Sequence, residues 1–382
     1  MLKHLPKYLL LAFLLENLCT KTLLLYKYTT PVFYLFLAIG LLMVVRTINW
    51  NDISKERFGW MFGITAIYTF HCFVIGLEYL NSEILIYLVA KVSTFFIIIT
   101  TLNADLDYFE DRGIYLFSLV AGLFILQGLI LPGSEVVFDG NERSALGFVN
   151  SNSLGGTATI VFGILLCRYK NRNWDRIPLL ICCIAAFAGL ASGSRSSMVV
   201  MALIFLSQYR LSVKSISMIA AAAFIVLILL PSVGIEVAGV TRIKGTIEGE
   251  IGTNREPERE AAMWMINEHP LTGWGLVTEN KGYAAQITMM SSHNSYMDLA
   301  KTMGIPLAIL WFLIVVSVIL KYLTNMRQLE LPFDFFCVYA LCTLFKGFFE
   351  AMFAGVHEIE CNMFYVSVAV LSIRLYNAKL CE

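Results

Sequence analysis

The sequence predicts an all-α polytopic membrane protein, and three observations predict it. The chain of 382 residues is 58% hydrophobic and only 15% charged, with a mean hydropathy of +0.71; a soluble domain exposes more charge. Apolar runs of about 17–25 residues recur, the length that crosses a hydrocarbon core of about 30 Å. The polar residues are gathered in one long interruption, 233–301, rather than spread along the chain. Open sheet edges are not tolerated at membrane depth, and no alternating ten-residue barrel pattern is present. The whole chain, 1–382, reads as a single integral membrane domain.

Hydropathy and turn residues together give about twelve spans. The first five fall near 5–19, 31–46, 58–77, 84–102 and 114–131. The next four are 153–168, 178–192, 196–209 and 214–232, and the last three, after the long loop, are 302–322, 333–352 and 360–376. Lys3 and Lys7 before the first apolar run imitate a secretion signal, but no small-residue cleavage site follows, so an uncleaved first helix is expected. With that end inside, Arg46, Arg57, Arg112, Arg168, Arg210, Lys321 and Arg374 fall on the cytoplasmic side, as the positive-inside rule requires. The turns near Glu78–Glu83 and Ala354–Glu358 carry neither Lys nor Arg and face out. Only the acidic loop Asn103–Gly113 is off-pattern. Both termini are therefore expected in the cytoplasm and loop 233–301, between spans nine and ten, facing outward, which in a bacterium means the periplasm or cell exterior. No ATP or nucleotide sugar lies on that side, so chemistry there needs a pre-activated, membrane-borne substrate. A second outward excursion, 131–152, holds Arg143 and the turn-rich Asn150-Ser151-Asn152-Ser153.

The nine cysteines are scattered through apolar runs without C-x-x-C spacing and read as small apolar residues. His269, His293 and His357-Glu358 lack metal-ligand spacing, so no metal or cofactor is expected. His71, Lys91 and Lys346 are polar groups at membrane depth that either line a cavity or hold helices together.

Six residues stand out as candidates for chemistry. Arg195 sits in the small-residue turn Ala191-Ser192-Gly193-Ser194-Arg195-Ser196-Ser197 between spans seven and eight. It either snorkels to the interface or joins backbone N–H groups around an anion such as phosphate. Arg255 and Arg259 are four apart and share a helix face; Ala261–Ile266 continues that helix with apolar residues, as a helix lying on a membrane surface would. Glu256, Glu258 and Glu260 could equally make it a solvated helix of ion pairs. His269 precedes Pro270, where helices stop, and reads as a terminal or surface residue. His293 lies at the outer membrane edge, and histidine is the side chain suited to accept a proton near neutral pH; the bland alternative is a capping or interface residue. Asn294 beside it could orient a hydroxyl or sugar. Arg143, Arg259 and Asn294 are counted as candidate substrate-binding residues, and Arg195, Arg255 and His293 as candidate catalytic ones.

In their order and spacing these residues resemble the bacterial O-antigen ligase and O-antigen polymerase membrane proteins. The resemblance covers roughly 140–310 and has three parts. The first is Ser194-Arg195-Ser196 at the outer end of a mid-chain span. The second is Arg255, fifteen residues before Pro270-Leu271-Thr272-Gly273-Trp274-Gly275. The third is His293-Asn294 followed, after nine intervening residues, by Gly304. Leu146-Gly147-Phe148 before span six also looks like the family's turn there. Two positions depart: Arg259 stands where the family often has an aromatic, and Leu307 where a second glycine is common.

The resemblance implies a metal-independent, inverting glycosyltransferase of the membrane-embedded GT-C class. Its donor would be a glycan on undecaprenyl diphosphate in the outer leaflet. Arg195 and Arg255 would hold the diphosphate and His293 would act as base or hydrogen-bond acceptor toward the acceptor hydroxyl. Arginine suits a leaving diphosphate in a water-poor site, where loss of one such contact costs about 2.7–4 kcal/mol of barrier stabilisation. A polymerase would extend a lipid-linked repeat unit; a ligase would transfer the polymer to lipid A–core. The His293–Gly304 stretch and the short tail after span twelve lean toward a polymerase. Implied partners are the lipid-linked donor, the glycan or lipid A–core acceptor, a chain-length regulator and a flippase, with no nucleic acid. The competing class, a polysaccharide-lipid flippase or transporter, would place ionisable residues near the bilayer midplane, whereas these arginines cluster at the outer face.

Overall fold

The computed structural model describes residues 6–25, 33–35, 37–38, 42, 55–130, 135–138, 141–171, 176–208, 256–276, 292–353, 355–356 and 358–381. They are helical apart from one short hairpin, and they divide into two compact units. Described helical stretches long and apolar enough to cross a membrane are Arg57–Ile75, Ser82–Gly128, Ile305–Asn325 and Ile359–Cys381; shorter apolar helices are Arg176–Ala191, Arg195–Gln208 and Phe335–Lys346. A described helix lies on each predicted span except 31–46, of which only scattered residues are described, and 214–232, which lies outside the described residues.

One unit comprises Leu15–Thr30 and Ile114–Gly252. It holds the end of α1 (Pro6–Cys19), then α4 (Ile114–Ile130), strands β1 (Glu135–Phe138) and β2 (Asn141–Ser144), α5 (Ser151–Asn171), α6 (Arg176–Ala191) and α7 (Arg195–Gln208). The antiparallel hairpin pairs Glu135 with Ser144 and Val136 with Arg143. It is a local exception in an otherwise helical chain: Glu-Val-Val-Phe is a short β-branched and aromatic run that pairs locally. Asn150 opens α5 by accepting a hydrogen bond from Ser153 N at 2.7 Å. Before it, Leu146 (φ 42) and Gly147 (φ 74) turn the chain so that Leu23 N donates to Gly147 O and Val149 N to Lys21 O, both at 2.8 Å. Helix α6 buries Ile181, Cys182, Ala185, Ala188 and Gly189, one helical face. Met201 of α7 sits so close over Gly189 that a Cβ there would lie 2.7 Å from its sulfur.

The other unit comprises 1–14, 31–113 and 253–382. Its helices are α2 (Lys55–Phe70, continued by a π turn, His71–Ile75), α3 (Ser82–Tyr108), α8 (Glu256–Glu268), α9 (Ser295–Met303), α10 (Ile305–Asn325), α11 (Phe335–Lys346) and α12 (Ile359–Cys381). Asn103–Gly113, expected as a loop, is instead mostly helical. The break is confined to Asp105 (φ −165°, ψ 81°) within α3, whose carboxylate caps the next turn through Tyr108 N at 2.9 Å, and a π turn follows over Phe109–Gly113. Helix α12 is the centre: Cys361 to Ile373 are all buried, as a helix apolar all round should be. Helix α10 is two-faced, burying Trp311, Val315, Ile319 and Tyr322 while exposing Ile309, Leu310, Leu313 and Leu320; an apolar outer stripe of this kind suits lipid rather than water.

The polar groups at membrane depth hold elements together. Lys91 on α3, 1% exposed, donates to the carbonyls of Phe353 (3.2 Å) and Gly355 (2.9 Å). Lys346 pairs with Glu360, and Arg374 bridges Glu110 at 2.9 Å and Asp334 at 2.7 Å. His71 Nε2 lies 2.8 Å from Thr272 O. Each anchors a turn or helix end that would otherwise bury unpaired polar atoms.

Candidate functional site

The residues of the long loop converge through the backbone. Helix α8 ends at Glu268, and Gly273 N closes the turn by donating to His269 O at 2.9 Å. The turn then docks on the end of α9: Trp274 N donates to Lys301 O (2.9 Å), Gly275 N to Thr302 O (3.0 Å) and Ile305 N to Pro270 O (2.8 Å). The contact leaves no room for side chains. A Cβ on Gly304 (φ +81°) would lie 2.3 Å from Leu271 O, and one on Gly273 (φ +65°) 2.5 Å from Thr302 C, in a backbone region that glycine alone visits freely. The Pro-x-x-Gly-x-Gly element and the closing Gly304 are thus two halves of one interlock. Trp274 fixes the near side, donating its Nε1–H to Met265 O at 2.8 Å and meeting the His269 ring edge-to-face at 4.4 Å, which gives His269 a packing role.

His293 stands at the other end of α9. Its φ of +50° is rare for a residue with a side chain, and such strain persists only where neighbours over-determine it. Here they do. Buried Ser292 donates to Asp298 Oδ1 from Oγ (2.9 Å) and N (3.2 Å), and Asp298 in turn pairs with buried Lys301 at 2.8 Å. On the far side Asn294 Oδ1 caps α9, accepting from Tyr296 N (3.0 Å) and Met297 N (3.2 Å). Ser295 ties the cap to the turn after α11: its N donates to Gly347 O (2.7 Å) and its Oγ to Glu350 O (2.6 Å). Tyr296 donates to Leu344 O at 2.6 Å, and burial raises its pKa, keeping it a neutral donor.

The His293 ring is left between two carboxylates. Nε2 lies 3.5 Å from Glu258 Oε2 and Nδ1 3.8 Å from Glu350 Oε2, with the imidazole 30% exposed and the carboxylates 21% and 16%. These distances are within ion-pair reach but beyond ordinary hydrogen bonds, a looseness common in catalytic groups before substrate binds. A carboxylate beside a ring nitrogen orients the imidazole and selects its tautomer. Such an arrangement can deprotonate a hydroxyl.

Of the other expected residues, Arg259 is exposed on α8 and Arg255 lies outside the described residues, immediately before that helix. Arg195 opens α7 in the other unit, half-buried, after Gly193 (φ +63°). Around it Ser194 Oγ lies 3.3 Å from Ser196 Oγ and donates to Ser197 Oγ at 3.0 Å. A Cβ on Gly155 would lie 2.8–2.9 Å from Ser192 Oγ, Ser194 Cβ and Ser197 Oγ, so that glycine lets α5 approach the serine turn. Arg143 lies on β2 opposite Val136. The structure therefore brings together His293, Asn294 and the helix bearing Arg259, with Asn294's carbonyl oxygen engaged as a cap. Sequence reasoning missed Glu350 as a partner of His293 and read Glu258 only as a neutraliser of arginines. Among the described residues no three His, Cys, Asp or Glu side chains converge as a metal site requires.

Residues 178–312 match the family model described as O-antigen ligase. The match supports the O-antigen ligase and polymerase family. It takes in Arg195, Arg255, Arg259, His293 and Asn294 and excludes Arg143. The interlocked Pro270–Gly275 and Gly304 elements also lie inside this O-antigen ligase stretch. No curated protein matches the chain.

Proposed function

We propose that the protein is a surface-polysaccharide polymerase of the bacterial inner membrane, transferring a growing glycan from undecaprenyl diphosphate to a lipid-linked repeat unit on the periplasmic side. What supports a transferase of this kind is the O-antigen ligase match over 178–312, which spans both the Ser194-Arg195-Ser196 turn and the His293 bend with its Asn294 cap. The fold would be GT-C-like, with about twelve spans and both termini cytoplasmic.

In the proposed step the acceptor hydroxyl oxygen attacks the anomeric carbon from the face opposite the diphosphate, inverting the centre. The new C–O bond forms as the anomeric carbon–diphosphate bond breaks. Undecaprenyl diphosphate leaves with the bonding pair, and the hydroxyl proton passes to His293. Glu258 or Glu350 stabilises the resulting imidazolium. Arg195 and Arg255 hold the developing negative charge of the diphosphate, while Arg143, Arg259 and Asn294 contact substrate. The donor is already activated, so the reaction needs no external energy source. The chain-length regulator and flippase act before and beside this step.

A ligase reading is favoured by the family model's own description. In it the donor and residues are the same and the acceptor is lipid A–core. A deletion strain separates the two on a lipopolysaccharide gel. One repeat unit on the core is the polymerase outcome; bare core with polymer stranded on undecaprenyl diphosphate is the ligase outcome. Bare core with single repeat units trapped on the cytoplasmic face contradicts both and points to a flippase.

A further inference from the structure

The end of the bundle remote from His293 holds a cavity that the glycan-transfer reading does not use. It measures about 660 Å³ and lies among α2, α10 and α12, within the range of small-ligand sites. Its wall is apolar, built by Trp60, Ile314, Val318 and Leu375, and two cations, Lys321 and Lys379, stand at its edge; no carboxylate lines it among the described residues. Gly59 of α2 borders this space: an added Cβ there would meet nothing within 4 Å. Buried Trp60 carries an indole N–H that finds no acceptor among the described residues, and a buried donor in such a wall points to an occupant that brings oxygen. Arg57 adds a third cation beside the cavity, its guanidinium 4.7 Å over the ring of the lining Tyr376.

The depth of this cavity is fixed by α10. That helix starts at Ile305, hydrogen-bonded to Pro270, and Lys321 comes sixteen residues later, about 24 Å along at about 1.5 Å per residue. The lysines therefore sit at the opposite membrane surface from the His293 loop, at head-group level, with the apolar wall running from them toward the bilayer interior.

We propose that this cavity binds an anionic phospholipid of that leaflet, its phosphate between Lys321 and Lys379 and an acyl chain along Trp60, Ile314, Val318 and Leu375. Basic pockets between spanning helices are the usual receptors for such head groups. The occupant is a lipid rather than free phosphate because the apolar wall exceeds the cationic rim and opens among membrane-spanning helices. The inference is independent of the transferase reading.

The test uses the full-length protein purified in detergent, with lipid retention read by native mass spectrometry and stabilisation by thermal unfolding. Phosphatidylglycerol, phosphatidylcholine and inorganic phosphate are each added. Wild type is expected to retain and be stabilised by phosphatidylglycerol over the other two. Lys321→Gln and Lys379→Gln together should weaken retention by about thirtyfold, or about fivefold per lysine, the equivalent of about 1 kcal/mol per basic residue at an anionic surface. Gly59→Leu, which fills open space and alters no charge, should weaken it as well. Equal retention of phosphatidylcholine overturns the proposal. So does unchanged phosphatidylglycerol retention in the lysine pair or in Gly59→Leu, or stabilisation by inorganic phosphate alone.

Discussion

The Ser192–Ser197 turn and the Ser292–Gly304 segment both lie within the matched stretch, and both depend on close backbone approach, yet their polar groups are spent differently. In the serine turn the hydroxyls satisfy one another: Ser194 N donates to Ser192 Oγ at 3.2 Å and Ser194 Oγ to Ser197 Oγ at 3.0 Å, and Gly155 seals the contact. The turn presents Arg195 on a closed, rigid support. In the second segment Ser292, Asp298, Lys301 and Ser295 are equally well bonded, but the His293 ring faces Glu258 and Glu350 at distances longer than hydrogen bonds. Arg195 thus stands on a closed turn, whereas the His293 ring lies at a strained backbone position between Glu258 and Glu350. The difference teaches that close backbone approach can hold one polar side chain on a closed, mutually bonded turn and another at a strained, part-exposed position.

Four substitutions sharpen or break this contrast. His293→Ala should lower transfer by about 10²–10⁴-fold, the usual contribution of a general base, with membrane levels unchanged on immunoblot. Asp298→Ala leaves buried Lys301 without its carboxylate and should cost about 3–5 kcal/mol of stability, read as a lower unfolding temperature in detergent. Gly155→Val forces a side chain into the serine turn and should cost about 1–3 kcal/mol, measured by the same unfolding scan. Asn294→Ala removes the α9 cap and should cost about 0.5–2 kcal/mol; if it instead leaves stability intact but abolishes transfer, its role is substrate contact. Should Asp298→Ala or Gly155→Val prove neutral, the rigid scaffolds described for these segments are wrong.

Much of this was legible in the sequence because hydropathy and motif spacing are local signals. The apolar runs foretold where helices lie, and the Pro270–Gly275, His293-Asn294 and Gly304 spacing marked a stretch whose glycines prove to be points of backbone contact. Glu350 was not legible: it reaches His293 through a turn more than fifty residues downstream, and no periodicity links the two. The 103–113 segment looked like a loop because its charges suggest solvent, whereas Asp105 spends its carboxylate capping Tyr108 N and Glu110 spends its own on Arg374. The β1–β2 hairpin escaped notice because four-residue strands carry too little alternation to stand out. Arg255 lies outside the described residues, so its part in the site rests on motif position.

The most direct test of the account is glycan laddering in a deletion strain complemented with His293→Ala at membrane levels matched to wild type. The account predicts that wild type restores the ladder and that the variant, though inserted, leaves it absent. A full ladder from the variant would contradict the assignment of His293 as the base.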